Sequence, residues 1–116
     1  MMNKDEQYME LCLDLANKAV ANGNEPFGAV LVNDDKVVMT SENKIHSNFD
    51  PTHHAELALI REFCQKHEVM DLSAYTLYTS CEPCFMCSGS MVWANLGRLV
   101  YSAGSSDLNE IIGEPL

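Results

Sequence analysis

Two short motifs constrain this chain more than any other feature of its sequence. The first is His54-Ala55-Glu56, and the second is Pro83-Cys84-Phe85-Met86-Cys87. One imidazole and two thiolates can hold a zinc ion with one coordination position left open. The Glu56 carboxylate is not needed as a ligand, so it is free to move protons to and from a water at that open position. A fold that uses both motifs must bring them side by side.

Both motifs lie where the sequence predicts the start of a helix. Asp50-Pro51-Thr52 is typical of a helix N-terminus, so we expect a helix over about residues 53–67. Glu82-Pro83 predicts another helix, over about residues 82–95. Cys84 and Cys87 would share one face of it, and the positive end of the helix dipole favours thiolates. The Cys84 backbone N–H, at the same helix start, could also stabilise a developing oxyanion.

Hydrophobic periodicity and turn residues predict the other elements. A first helix is expected over about residues 5–21, with one apolar face made by Tyr8, Leu11, Leu15 and Ala19. Four strands are expected, over residues 27–32, 36–40, 75–79 and 98–102. The first two strands form a hairpin, residues 43–50 form a polar loop, and the later strand–helix alternation implies parallel pairing. The predicted fold class is α/β: a three-layer α/β/α sandwich with a mixed sheet, in which residues 1–116 form a single domain.

Charge and cysteine content narrow the functional class. The net charge is −10 and the basic residues form no cluster, whereas a nucleic-acid binder normally carries a basic stripe. Nucleic acid is therefore not an expected partner. No stretch has the length of a membrane span and no secretory signal is present, which predicts a cytoplasmic protein without membrane contact. Cys12 and Cys64 stand apart from the cluster of Cys81, Cys84 and Cys87 and are expected to be small core residues.

Several alternatives stay open on the residues alone. Cys81 could replace Cys84 or Cys87 as a ligand, although its position at a strand end favours a packed thiol. A thiol-redox pair at Cys84 and Cys87 would leave His54 and Glu56 unexplained. His53 is expected to be an ordinary surface or core histidine. Three apolar side chains of the last helix are expected to pack rather than bind a cofactor: Met86, Met91 and Trp93.

These motifs resemble the cytidine/deoxycytidylate deaminase superfamily, nearest to its bacterial guanine deaminase and tRNA-adenosine deaminase branch. The resemblance runs through nearly the whole chain, on Pro26-Phe27-Gly28-Ala29-Val30, Asp50-Pro51-Thr52 before the His54 motif, and Leu77-Tyr78-Thr79-Ser80-Cys81-Glu82-Pro83-Cys84 with Met86-Cys87. It implies one zinc ion per chain held by His54, Cys84 and Cys87, with Glu56 as the catalytic proton shuttle. It also implies that Asn43 and the Ala55 backbone bind the base, that Phe27 walls the pocket, and that the protein is a homodimer.

The resemblance implies a zinc-dependent hydrolase that deaminates a nucleobase or nucleoside. Thr79 to Cys84 and Trp93 look more like guanine deaminase, which favours conversion of guanine to xanthine and ammonia. The alternatives are tRNA adenosine deamination and a non-catalytic, zinc-binding deaminase-like subunit.

Two departures from the family pattern bear on the substrate. His53 replaces the usual Ala, and the C-terminal elements that follow in relatives are expected to be missing after Leu116. Guanine-type enzymes place a base-recognising acid in a region that here contains Asp107, Glu110 and Glu114.

Overall fold

Five strands form one sheet, and helices cover both of its faces. The computed structural model describes residues 2–102 and the backbone of residues 111–115. In chain order the elements are α1 (Lys4–Ala21), β1 (Gly28–Asn33), β2 (Lys36–Glu42), α2 (Ile45–Asn48), α3 (Ala55–His67), β3 (Thr76–Thr79), α4 (Phe85–Trp93), β4 (Arg98–Ser102) and β5 (Ile111–Pro115). The strands lie in the order β2-β1-β3-β4-β5. The prediction of a three-layer sandwich with a mixed sheet is confirmed.

The sheet contains both antiparallel and parallel strand pairs. β1 and β2 form the predicted antiparallel hairpin, and Asp34 and Asp35 in its turn have positive φ angles of 53° and 59°. Two such residues are the mark of a tight hairpin turn whose twist matches that of the strands. β3 pairs antiparallel with β1 and parallel with β4. The expected parallel pairing is therefore present, across the α4 connection.

Side chains alternate between the two faces of the sheet. Val30, Val32, Tyr78 and Val100 form one cluster with α1 residues. Their strand neighbours, among them Ala29, Leu31, Leu77 and Leu99, form the larger cluster with α3 and α4. This alternation is the period of two expected for a strand whose two faces are both buried. It leaves α3 and α4 side by side on one face of the sheet.

The buried face of α1 differs from the prediction. Tyr8, Met9, Cys12, Ala16 and Ala19 are buried, whereas the predicted Leu11 and Leu15 are only half-buried. α1 approaches β1 closely: a Cβ on Gly28 would lie 2.5 Å from the Cys12 carbonyl oxygen and 2.6 Å from the Leu15 Cβ. Leu11 and Leu15 pack against the cluster that α1 forms with the sheet, and their side chains remain partly exposed. Cys12 is a core residue as expected, and Cys64 is only partly buried.

The helices α2, α3 and α4 also differ from the prediction. Residues 43–50 contain a short helix, α2, instead of a loop alone, because distant side chains bind its backbone (see below). α3 begins at Ala55, and its N-cap is His54 rather than Asp50 or Thr52. α4 begins at Phe85 and ends at Trp93, and Trp93 is 90% exposed rather than packed. Within the described residues, no helix has the length and apolarity that a bilayer crossing requires.

An ion pair joins the start of α1 to the sheet. The two Asp5 oxygens accept hydrogen bonds from Arg98 at 3.2 and 2.8 Å, and the Tyr78 hydroxyl donates to the same carboxylate. The Arg98 hydrogen bonds hold the pKa of Asp5 below its usual 3.8. A carboxylate with a depressed pKa stabilises the folded state above its unfolded pKa and loses that contribution as pH falls through the folded value.

We therefore expect Asp5→Asn to lower the free energy of unfolding at pH 7 by about 1 kcal/mol, because Arg98 and Asp5 are partly exposed and solvent screens them. The difference in free energy of unfolding between wild type and Asp5→Asn should narrow as pH falls below 3.8. Thermal unfolding followed by circular dichroism at several pH values measures it. Asp14→Asn, at an exposed position of α1, is the control. A gap that stays constant down to the acid limit would contradict the ion-pair explanation.

Candidate metal and catalytic centre

The N-cap residues of two neighbouring helices form the centre. His54 is the N-cap of α3 and Cys84 is the N-cap of α4, and neither helix has a side-chain capping hydrogen bond. Their carbonyl oxygens accept the first intrahelical bonds, from Ala58 and Ser88, at 3.0 and 2.9 Å. The imidazole and the thiol are thus not used to cap their own helices. Both are directed instead to a common point between the two helix starts.

Three potential ligand atoms converge at that point. His54 Nδ1 lies 3.5 Å from Cys84 Sγ and 3.6 Å from Cys87 Sγ, and all three atoms lie within 4.8 Å of one another. A tetrahedral zinc ion, with Zn–N of about 2.0 Å and Zn–S of about 2.3 Å, separates nitrogen and sulfur ligands by about 3.6 Å. The residues therefore fit one zinc ion as they stand, with a fourth position left over. Cys81 lies outside this group.

Glu56 lies beside this group in an environment of low polarity. It is 6% exposed, and burial raises its pKa, while its own backbone N–H and the Cys87 thiol act in the opposite direction. Within the described part of the chain it forms no ion pair. A buried carboxylate without a counter-charge is costly unless it is protonated or lies near a cation. The location thus suits a group that gains and loses a proton.

Cys87 is in a similar position on α4. Its side chain is fully buried, and burial followed by the Glu56 carboxylate raises the pKa of its thiol well above the ordinary value. Coordination to a dication reverses this preference, because a ligating thiol is deprotonated. The two thiols and the imidazole form a donor set suited to a dication, which would also offset the negative charge of Glu56 near Cys87. The charges and the interatomic distances therefore both favour a metal ion at this group.

Asn43 is a buried amide with half of its hydrogen-bonding capacity engaged. It is 1% exposed, and its Oδ1 accepts hydrogen bonds from the backbone of Ile45 at 3.0 Å and of Glu25 at 3.4 Å. Its Nδ2 has no partner among the described residues. Because both backbone N–H groups donate to Oδ1, the orientation of the Asn43 amide is fixed. Its Nδ2 is therefore the group left to donate a hydrogen bond. The Asn43 backbone N–H donates to the Phe27 carbonyl at 3.0 Å.

The other predicted substrate contacts lie in two places. Ala55 is fully buried as the first residue of α3. Phe27 lines a cavity of about 330 Å³ together with Pro26, Cys81, Ala16 and three further residues, none of which belongs to the convergent His–Cys–Cys group. Phe27 therefore walls an apolar cavity whose lining does not include the candidate ligands. Whether it contacts a substrate remains a prediction.

Asn24 has a structural role that the sequence motifs do not indicate. It is buried, and its Oδ1 accepts hydrogen bonds from the backbone N–H groups of His46 and Ser47 at 3.0 and 2.9 Å. Its Nδ2 donates to Ser47 Oγ at 2.7 Å. Asn24 thus holds α2 in the loop that leads to His54. Its place in Asn22-Gly23-Asn24 carried no signal of this role, because α2 itself was not expected.

His53 is held by the same loop and is not a member of the convergent group. Its backbone N–H donates to Asp50 at 3.1 Å, its carbonyl accepts from Lys44 at 3.1 Å, and its Nδ1 lies 3.3 Å from Asn48 Nδ2. Of the three candidate base-recognising acids, Asp107 and Glu110 lie outside the described residues. Glu114 is described only as part of the β5 backbone.

The fold and the centre together define a zinc-binding α/β domain of hydrolase type. Residues 2–103 match the family described as the cytidine and deoxycytidylate deaminase zinc-binding region. The chain belongs to this family.

Similar proteins in the family act on different substrates. Guanine deaminase of Bacillus subtilis is 38% identical over 90% of this chain and 68% of its own length, and its crystal structure matches with a TM-score of 0.83, over 94% of this chain and 69% of that one. The tRNA-specific adenosine deaminase of Buchnera aphidicola is 36% identical over 93% of this chain and 72% of its own length. A further structure, a mutant of NE0047 in complex with 8-azaguanine, is 28% identical with a TM-score of 0.80, over 90% of this chain and 61% of that one.

These relatives settle the class of reaction and leave the substrate open. The chain is a hydrolytic deaminase that acts on C–N bonds, with a His–Cys–Cys group that could bind one metal ion. Guanine deaminase and tRNA adenosine deaminase are similar to it to nearly the same degree, at 38% and 36% identity.

Proposed function

We propose that this chain, as one zinc-dependent domain and in a cytoplasmic homodimer, deaminates a small base, with guanine converted to xanthine and ammonia. His54, Cys84 and Cys87 hold one zinc ion, and Glu56 is the catalytic residue. The observation that carries the proposal is the buried Glu56 carboxylate, which forms no ion pair among the described residues, beside three ligand atoms whose separations suit zinc. A cytoplasmic location accompanies it, because reduced thiols are the form that binds zinc.

Each residue has a task that follows from its position. Zinc, when bound, supplies a water that is activated for attack at neutral pH. Glu56 is placed to carry two protons in turn: one from the attacking water to the ring nitrogen, and a second, from the hydroxyl left on the ring carbon, to the departing amine, since a bare amide ion is a very poor leaving group. The Cys84 backbone N–H, at the positive end of α4, stabilises negative charge on the attacked group. The overall balance is base plus water to the oxo base plus ammonia.

Asn43 orients the substrate in this proposal. Its Oδ1 is occupied by two backbone N–H groups, so its Nδ2 donates to a ring nitrogen or carbonyl of the base. The backbone of Ala55, next to the ligand His54, lies at the base edge, and Phe27 contributes apolar wall. A flat, neutral heterocycle with an acceptor on the edge next to its reacting carbon meets these requirements.

Charge supports a small substrate over tRNA. The chain has 17 acidic and 7 basic residues, with a net charge of −10. Neutralising phosphates with Lys and Arg supplies much of the affinity of nucleic-acid binders, and here the basic residues are scattered. tRNA adenosine deamination is the second candidate because a relative 36% identical to this chain has that function.

We expect zinc-loaded protein to release ammonia from guanine faster than from guanosine, cytosine, cytidine, adenine or tRNA. The reason is that Asn43 offers one free amide donor, which a free base can satisfy, and that the scattered basic residues offer tRNA no phosphate-binding surface. The measurement is ammonia release across this panel at equal enzyme concentration. Release from tRNA alone would overturn the choice of substrate, and no release from any substrate by zinc-loaded protein would favour a non-catalytic subunit.

A separate binding measurement tests the charge argument. We expect tRNA retention on filters to equal that of an unrelated acidic protein at low salt. Tight retention that weakens steeply with salt, as counterion release requires, would favour the tRNA function.

A further inference from the structure

The backbone at the end of α1 fixes the position of Asn24. Gly23 has a positive φ angle of 83°, which glycine adopts without strain. The N–H of Asn24 donates to the Ala19 carbonyl at 2.8 Å, and the N–H of Gly23 donates to the Val20 carbonyl at 3.0 Å. This pair of hydrogen bonds is the Schellman arrangement, which closes a helix through one left-handed residue. The Asn24 side chain therefore extends from a well-defined backbone.

The short helix α2 depends on the Asn24 side chain for its position. No residue of α2 is buried, so packing in the core contributes little to it. The buried Asn24 amide instead binds two of its backbone N–H groups, those of His46 and Ser47, and the Ser47 hydroxyl. Removing this acceptor would leave both N–H groups without their partner, which costs more than the loss of an exposed hydrogen bond.

Asn24 also joins the two backbone groups that orient Asn43. The Asn43 Oδ1 accepts hydrogen bonds from the N–H groups of Glu25 and Ile45, at 3.4 and 3.0 Å. Glu25 directly follows Asn24 in the chain. Ile45 directly precedes His46, whose N–H donates to Asn24. One side chain thus holds both donors at the distance that the Asn43 amide bridges, and without it the two donors are free to separate.

We propose that Asn24 is a positioning residue for deamination, which holds the Asn43 amide so that its Nδ2 faces the substrate base. Nδ2 has no partner among the described residues, so its direction follows from what Oδ1 binds. An amide rotated by half a turn would place its carbonyl oxygen, an acceptor, against an acceptor of the base. The inference rests on the proposed function, in which Asn43 binds the base, and adds the residue that selects the orientation of its amide.

The metal centre is held independently of this link. The Asn43 backbone N–H donates to the Phe27 carbonyl at 3.0 Å, and the Lys44 N–H donates to the His53 carbonyl at 3.1 Å. These bonds fix the main chain on both sides of the loop, and His54 is held at the start of α3. Loss of the Asn24 side chain should therefore weaken binding of the base and leave the zinc content unchanged.

Asn24→Ala should raise KM for guanine about tenfold and leave kcat nearly unchanged. Molecules in which the loop is released do not bind the base, so the apparent dissociation constant rises as the competent fraction falls. Molecules that have bound the base react normally. The loss of two hydrogen bonds is sufficient for a tenfold change. Initial rates of ammonia release over a range of guanine concentrations, with zinc-loaded full-length chain, measure both constants.

A conservative variant and a matched control accompany this substitution. Asn24→Asp should restore a KM near that of wild type, because a carboxylate oxygen accepts the same two N–H groups and the Ser47 hydroxyl can turn to donate to it. Asn22→Ala, at an exposed asparagine of the same turn, should change neither constant. An unchanged KM in Asn24→Ala would overturn the proposal, as would a fall in kcat that Asn24→Asp does not reverse.

A measurement without turnover separates this inference from the proposed reaction. Side-chain ¹⁵N relaxation of the zinc-loaded chain should give Asn43 Nδ2 an order parameter of about 0.85 in wild type and below about 0.6 in Asn24→Ala. An equally rigid Nδ2 in both proteins would overturn the inference even where guanine is deaminated. An Nδ2 that is mobile only in Asn24→Ala, in a chain that releases no ammonia, would support the link from Asn24 to Asn43 and overturn only the proposed reaction.

Discussion

Glu56→Gln should reduce turnover by about 10²–10⁴-fold, toward the upper end of that range, because the carboxylate is proposed to transfer protons both in the attack of water and in the departure of ammonia. Gln has nearly the same shape and cannot cycle a proton. Burial disfavours the charged form of Glu56, so a neutral amide should not lower the thermal midpoint. Ammonia release, zinc content and thermal unfolding of the same preparation measure these three quantities.

Glu62→Gln is the matched control, since Glu62 is an exposed residue of the same helix α3. It removes the same charge without approaching the centre and should retain full turnover. Near-normal turnover of Glu56→Gln with normal zinc content would refute the shuttle assignment. His53 would then be the first alternative carrier to examine.

Local spacing made the convergent group predictable. Cys84 and Cys87 are one helical turn apart, so any helix that contains them presents both thiols on one face. The sequence motifs also placed His54 at a helix start, and the structure brings its Nδ1 within 3.6 Å of both sulfurs. Spacing alone could not decide which two of Cys81, Cys84 and Cys87 are the ligands. Cys81 is separated from the group because it lies before α4, outside the helix that carries the other two.

Contacts between distant segments were not predictable in the same way. Asn24 binds the backbone of α2 across the chain, and a helix of four residues without apolar periodicity leaves no trace in a sequence pattern. The close approach of α1 to Gly28 through Cys12 and Leu15 depends on tertiary packing, which the helical period of the sequence does not specify. The exposure of Trp93 was not predictable, because an apolar residue at helical spacing is equally consistent with packing in the core and with exposure at the surface.

Loss of zinc should abolish activity and much of the stability of the centre. Cys84→Ala is the sharpest variant, because Cys84 is exposed and makes no capping bond, so the substitution removes a ligand without opening a cavity. We expect it to bind far less than one zinc per chain and to lose measurable ammonia release. A ligand present at a thousand times its dissociation constant stabilises a fold by about 4 kcal/mol, which corresponds to a fall of about 10–20 °C in thermal midpoint.

Chelated protein shows whether that loss is due to the metal. Wild type stripped of zinc should melt within a few degrees of Cys84→Ala, and zinc should restore only the wild type. His54→Ala should behave like Cys84→Ala, whereas Cys64→Ala, at a partly buried cysteine of α3 outside the group, should bind zinc normally. Equal melting of Cys84→Ala and zinc-loaded wild type would show that zinc contributes little to the fold. Full zinc content in Cys84→Ala would show that Cys84 is not a ligand.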